Sequence, residues 1–192
     1  MKKLVTLALV LMMVAMTACA SAATVGICQL MVHESLDQAT QGFIDALNAG
    51  EYNAIDRDQT NTPEEREQAM KKCLLADVFV TGANAISLDG QMVNIDGMGN
   101  RVAAIIYGPK SVLVIAGMNK VTDDLDSAIK RARTVAAPLN QQRFQLNNPC
   151  TVTGTCADCK SETCICNQIV ITRHCRPVGR IKFILVGEDL GL

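Results

Sequence analysis

Two groups of residues in this chain could carry chemistry. Cys150, Cys156, Cys159, Cys164 and Cys166 place five thiols within seventeen residues. Four such thiolates could bind Zn2+ tetrahedrally, and the Cys156-x2-Cys159 core also suits an iron-sulfur cluster. The full spacing matches neither signature closely, so a free-thiol or disulfide-closed loop stands as the alternative. Cys164 and Cys175 are close enough in sequence to contribute, whereas Cys28 and Cys73 read as small buried core residues. The second group is Asp96-Gly97-Met98-Gly99-Asn100-Arg101, ahead of an apolar run. Glycines let backbone approach a ligand, a helix start offers free N–H groups, and an arginine fork grips a carboxylate or phosphate. With Thr81, Gly82 and Asn84, these residues form a predicted pocket for a small anionic metabolite. The competing reading is a tight turn with Arg101 paired to Asp96. Glu188 is a weak catalytic candidate, a general base or nucleophile if buried near Arg101 and otherwise an exposed tail acid. His33 and His174 stand alone, with no Ser or Cys at a recognisable spacing.

The elements that must position these groups alternate between strand and helix. Short apolar runs at 24–30, 52–56, 77–80, 111–116, 169–172 and 181–186 read as strands. Ser35 with Gln38 opens a helix to about residue 48, whose stripe is Leu36, Ala39, Phe43, Ile44 and Leu47. Thr62-Pro63-Glu64-Glu65 opens another to about residue 75, burying Ala69, Met70, Cys73 and Leu74, with Glu67 and Lys71 paired on the wet side. Ala85–Leu88 and Gln91–Ile95 flank Asp89-Gly90, a hairpin signal for a two-residue type I′ turn. Thr122 is expected to cap a helix with Asp123 and Asp124 in its first turn and a stripe at Leu125, Ala128, Ile129, Ala132 and Val135. After Ala137-Pro138-Leu139 the periodicity breaks into the polar, cysteine-rich stretch. The predicted fold is α/β, a mostly parallel open sheet with flanking helices and an inserted hairpin.

Composition narrows the function classes. A chain of 192 residues with net charge −1, no Trp, two Tyr and four Phe has neither the basic patch nor the stacking platforms of a nucleic-acid binder. Lys2 and Lys3 before an apolar run to about Met16, then Ala20-Ser21-Ala22, read as a signal peptide over residues 1–22. Met16-Thr17-Ala18-Cys19 is also a loose lipobox, which would lipidate Cys19. Either reading makes the product exported or membrane-anchored, with membrane contact only through the leader or a lipid.

Several ordered motifs together resemble the lactate-utilisation (LUD) domain family. They are 53–58, Thr62-Pro63-Glu64-Glu65-Arg66, 75–86, Val93-Asn94-Ile95-Asp96-Gly97-Met98-Gly99-Asn100-Arg101, Val135-Ala136-Ala137-Pro138-Leu139-Asn140 and the terminal Gly187-Glu188-Asp189-Leu190-Gly191-Leu192. The likeness runs from about residue 47 to the end. It implies a fold like that of the sugar-phosphate isomerase and coenzyme A transferase superfamily, and a role in lactate or organic-acid utilisation alongside iron-sulfur lactate-oxidising proteins. Cys150, Cys156, Cys159 and Cys166 match the family's own cysteines, while Cys164 stands where Arg is usual. The family's thiols suit a reducing cytoplasm, which conflicts with the leader.

Residues 23–48 instead resemble the mature start of a periplasmic ABC-transporter substrate-binding protein, through Val25-Gly26-Ile27-Cys28-Gln29-Leu30 and Gly42-Phe43-Ile44-Asp45-Ala46-Leu47. The chain thus reads as a leader (1–22), a strand-helix unit (23–48) and a LUD-like domain (49–192). The family's Gly-rich lead-in loop is missing. On that reading the borrowed strand has to dock beside the strand at 76–80. The alternative functions are a transporter's substrate-binding component and an inactive fusion product.

Overall fold

The structure is a computed structural model that describes residues 23–28, 41, 42, 44–47, 49, 50 and 52–192. The leader with Cys19, and His33, Ser35, Leu36, Gln38, Ala39 and Phe43, lie outside the described residues. Strands β1 (Thr24–Cys28), β2 (Asn53–Asp56), β3 (Val78–Thr81), β6 (Ser111–Gly117) and β9 (Ile181–Val186) form one sheet. Its order is β2-β1-β3-β6-β9, and every pairing in it is parallel. β1 lies between β2 and β3 with Val25 opposite Val78.

Both faces of this sheet are buried, and strand alternation assigns each residue its side. Val25, Ile27, Val78, Val80 and Leu113 join Ile44 and Leu47 of the helical stretch within 41–49 on one face. Phe79, Val112, Val114 and Cys28 join Cys73, Ala104 and Ile105 on the other. Gly26 belongs to the second face because a Cβ there would meet the Cys73 side chain at 3.0 Å. The helix that carries Cys73, α1 (Pro63–Cys73), starts as its residues predict. Thr62 Oγ1 accepts from Glu65 N at 3.1 Å, Glu65 in turn accepts from Asn61 N at 2.9 Å, and Lys71 meets Glu67 at 2.6 Å. The helix after it, α2 (Asn100–Tyr107), is tied down at its C-terminus by buried Arg180, which donates to the carbonyls of Ala104, Ile105 and Pro109.

The hairpin belongs to a second sheet rather than to the parallel one. β4 (Ala85–Ser87) and β5 (Met92–Asp96) pair antiparallel, β8 (Gln168–Thr172) pairs antiparallel with β5, and β7 (Val121–Thr122) runs parallel to β4. Ile86 and Met92 face the parallel sheet's core, while Ala85, Val93 and Ile95 face Ala128, Ala132 and Ala137 on the far side. The connection differs from the predicted two-residue type I′ turn. Gly90 N donates to Ser87 O at 2.8 Å, Ser87 N donates to Gln91 O, and of Asp89 and Gly90 only Gly90 has positive φ, at 87°. Three residues therefore close the hairpin, with Gly90 alone taking the left-handed position.

Three helical expectations are corrected. The third helix, α3 (Leu125–Arg131), is capped by Asp124, whose carboxylate accepts from Ser127 N at 2.8 Å, because Thr122 is engaged in β7. A π-helical run (Ala132–Ala136) then widens one turn, so the buried position after Ala128 and Ala132 falls on Ala136, fully buried, and Val135 is left 40% exposed. The helix does not break at Pro138 but continues as α4 (Ala137–Arg143). Pro138 sits in its first turn, where a missing N–H costs least.

Candidate functional site

The parallel sheet reverses its strand order between β1 and β3, and open α/β sheets hold ligands beyond the carboxyl ends of strands at such a point. From that point outward, three chain segments leave the carboxyl ends of the neighbouring strands β3, β6 and β9: Thr81-Gly82-Ala83-Asn84 after β3, Gly117–Lys120 after β6, and Gly187–Leu190 after β9. Gly117 permits the last two to close together, since a Cβ on it would lie 2.4 Å from Leu190 N and 2.6 Å from Glu188 O. Asn119 stitches the same junction, accepting from Leu190 N and donating to Gly191 O.

Five of the predicted pocket residues meet here, and they meet around Arg101, which is 1% exposed. Its Nη1 donates to Asn94 Oδ1 at 2.6 Å and Gly82 O at 3.3 Å, and its Nη2 donates to Asn84 Oδ1 at 3.0 Å and Ile95 O at 2.9 Å. Nε lies 3.8 Å from Asp96 Oδ1. Asp96 Oδ2 also accepts from the backbone N–H groups of Arg101 and Val102, so the start of α2 is capped by its own chain. Thr81 is buried and its hydroxyl donates to Gly82 O. Every guanidinium donor thus faces an internal group. Arg101 positions the ends of β3 and β5 instead of presenting an open fork, as the Asp96-paired turn anticipated. Gly97, Gly99 and Asn100 lie on the turn outside this network. Gly97 packs against Ile165 and its carbonyl accepts from Asn167 Nδ2, and Gly99 takes φ 86° as the helix N-cap. Glu188 is exposed and makes no side-chain bond to Arg101, and His174 is exposed as well.

Two cations that the motifs did not single out complete the site. Lys120 is 3% exposed and has no hydrogen-bond or ion-pair partner among the described residues. Burial pushes its ammonium down to about 8, helped by the positive charges of Arg131 and Arg101, and no carboxylate acts against them. Arg131 donates through Nε to Asn119 O at 2.8 Å and through Nη1 to Asn84 O at 2.6 Å. Asn94 Nδ2, fully buried beside Arg101, has no acceptor among the described residues. Arg131 is half-buried, and the charge of Asp189 acts on it. The sequence signal for Lys120 was a lysine straight after a buried strand, in Gly117-Met118-Asn119-Lys120, which reads equally well as a solvated turn.

The cysteines gather on the far side of β5. Cys150, Cys156, Cys159, Cys164 and Cys166 line one pocket of about 50 Å3 with Ile95, Arg133, Pro138, Gln141, Asn148 and Ile169. All five are free thiols, and Cys175 does not line the pocket. Asn148, 1% exposed, holds the loop. Its Oδ1 accepts from the hydroxyls of Ser161 and Thr163, and its Nδ2 joins Gln141 Nε2 on Thr163 O. Backbone N–H groups of Asp158 and Cys166 donate to the sulfurs of Cys156 and Cys164 at 3.5 and 3.4 Å. The thiols differ in character. Hydrogen bonds from Ser161 lower the Cys159 thiol, while burial raises Cys150 and pushes Cys166 up to about 12. Among the described residues, no three or more His, Cys, Asp or Glu side chains converge in a metal-holding arrangement. The four expected zinc or iron-sulfur ligands all line this pocket.

A mostly parallel, open α/β sheet with its polar residues at the carboxyl strand ends defines the class. The chain belongs to the LUD domain family, whose sequence profile matches residues 10–186 and so takes in β1 as well as the motifs from residue 47 onward. No curated protein matches it. Among solved structures it is similar to ribose 5-phosphate isomerase from Plasmodium falciparum, at 14% identity and TM-score 0.35 over 64% of this chain and 54% of that one. Ribose 5-phosphate isomerase A from Neisseria gonorrhoeae gives 17% and 0.32 over 56% and 49%. For eIF2B beta from Chaetomium thermophilum the values are 13% and 0.33 over 57% and 40%. The chain spans about half the length of these structures or less, and its fold class rests on the sheet itself.

Proposed function

We propose that this LUD-domain protein serves organic-acid utilisation by binding a small anionic metabolite beyond the carboxyl ends of β3, β6 and β9. The observation that carries this reading is Lys120, a buried ammonium with no acceptor among the described residues, flanked by Arg131 and Arg101. An unpaired buried charge is costly, and an anion lying against it removes that cost. Asn94 Nδ2 supplies a further donor of the kind a carboxylate or phosphate accepts. Asp96, Asn84 and Arg101 act at one remove, by holding the strand ends that frame the anion. Lactate, pyruvate, sugar phosphates and coenzyme A are the compounds to screen.

Thermal unfolding of the full chain with each compound tests the reading. A ligand at a hundredfold its Kd adds about 2.7 kcal/mol to apparent stability. At least one of these anions is expected to raise the melting temperature of the wild type and to lose that effect in Lys120→Met. A wild type indifferent to all of them, or a Lys120→Met variant that keeps the full shift, defeats the proposal.

A further inference from the structure

Arg101, Arg180 and Lys120 are the buried cations among the described residues, and both arginines are tied to internal acceptors while Lys120 is not. The backbone of Lys120 is nevertheless fixed on both sides. Asn119 before it accepts from Arg131 Nε at 2.8 Å through its carbonyl and from Leu190 N at 3.2 Å through Oδ1, and its Nδ2 donates to Gly191 O at 3.1 Å. Val121 after it is paired with Ile86 in the second sheet. A buried lysine kept for structure takes acceptors, and this one is seated firmly without any. We infer that Lys120 is a nucleophile that bonds the ketone carbon of a 2-oxo acid as an imine. The inference rests on the anion site proposed above and names its substrate class. A carboxylate is the group that the neighbouring cations select, and a ketone next to that carboxylate is the group that an amine can bond. Asn94 Nδ2, buried without an acceptor, is a donor of the kind that a ketone oxygen accepts. Burial brings the Lys120 ammonium down to about 8, so at pH 8 it offers about a hundredfold more free amine than an exposed lysine.

The step balances without any further reagent. The free amine of Lys120 adds to the ketone carbon, forming the N–C bond as the carbonyl electron pair moves onto oxygen, and a proton passes from nitrogen to that oxygen to give a carbinolamine. The C–O bond then breaks, the oxygen leaves as water with a second proton, and the nitrogen lone pair closes the C=N bond. Amine and 2-oxo acid become imine and one water, with nothing oxidised or reduced. A 2-hydroxy acid such as lactate has no ketone carbon, so it pairs with the cations without forming the bond.

Pyruvate with sodium cyanoborohydride is the probe on the folded full chain, because the hydride reduces an imine to a permanent 1-carboxyethyl group that peptide mass spectrometry locates. Lys120 is expected to be modified at least about tenfold faster than the exposed Lys72 and Lys130, and added lactate to slow it. Lys120→Arg keeps a cation but has no amine to add, so it is expected to retain the lactate-induced melting shift and to lose the rapid modification. A wild type whose melting temperature rises with lactate or pyruvate, but whose Lys120 is modified no faster than Lys72, overturns the imine and leaves the anion site standing. Rapid modification that persists in Lys120→Arg overturns it equally. A melting temperature that none of the anions moves defeats the anion site and this inference with it.

Discussion

The first turn of α2 and the turn after β6 each bury a cation almost completely, and they treat it in opposite ways. Arg101 has an internal partner for every donor, two of them from Asn84 and Asn94. Lys120, 3% exposed, has none among the described residues. Equal burial with unequal satisfaction separates scaffold from site: a saturated cation holds backbone in place, and an unsaturated one is still owed a partner.

The largest effect that can break this contrast is expected from Arg101→Ala. It takes one donor each from two asparagine oxygens and two backbone carbonyls in the interior and removes the cation beside Asp96, at a cost of about 3–5 kcal/mol in urea-monitored stability. A loss below about 1 kcal/mol would mean that Arg101 is not the tie described. Gly117→Ala comes next. The added methyl would overlap the backbone of Glu188 and Leu190, and overpacking of this kind costs about 1–3 kcal/mol and should push the tail off the Lys120 turn. An unaffected melting temperature there would show that the tail does not close the site.

Smaller and opposite in sign is Lys120→Met, which removes an unpaired buried charge and should leave neutral-pH stability unchanged or raise it by about 1 kcal/mol. Its pH signature sharpens the comparison further. The folded chain releases the Lys120 proton at about 8 and the unfolded chain at the ordinary lysine value of 10.5. Between those values the unfolded state holds more protons, so wild-type stability gains a contribution as pH rises from about 8 that Lys120→Met lacks. Anion binding should weaken over the same rise, as the ammonium loses its charge. Urea titrations at pH 7 and pH 10 measure the first effect, and ligand-induced melting shifts the second. The smallest loss expected is about 1 kcal/mol for Thr62→Ala, an exposed helix cap with no tie to either cation. It sets the scale of an ordinary local contact.

The sheet was legible in the sequence because its strands are buried on both faces and so read as unbroken apolar runs, as Ser111–Gly117 does. The cap at Thr62 was legible because a cap depends on residues a few positions apart. Long-range pairing was not. Nothing local places β4 and β5 in a separate sheet with β8, whose partner residues lie more than seventy positions away. The π-helical widening that exchanged Val135 for Ala136 leaves no mark on a 3.6-residue period. At the site, the Gly97-to-Arg101 motif located the right strand end, but the direction of a guanidinium depends on acceptors from Gly82 and Asn84, which only the fold brings near. Lys120, Arg131 and the loop-holding Asn148 were missed for a related reason. Their types are common on surfaces, and only tertiary packing buries them.

The central place of β1 bears on how the chain can be shortened. β1 is the neighbour of β2 on one side and of β3 on the other. A chain begun at residue 23 keeps every strand pairing described here. One begun at residue 29 leaves β2 without a partner and turns β3, at the middle of the sheet, into an open edge whose unpaired backbone invites association with other chains. The five residues of β1 thus decide whether β3 is covered or left as an open edge.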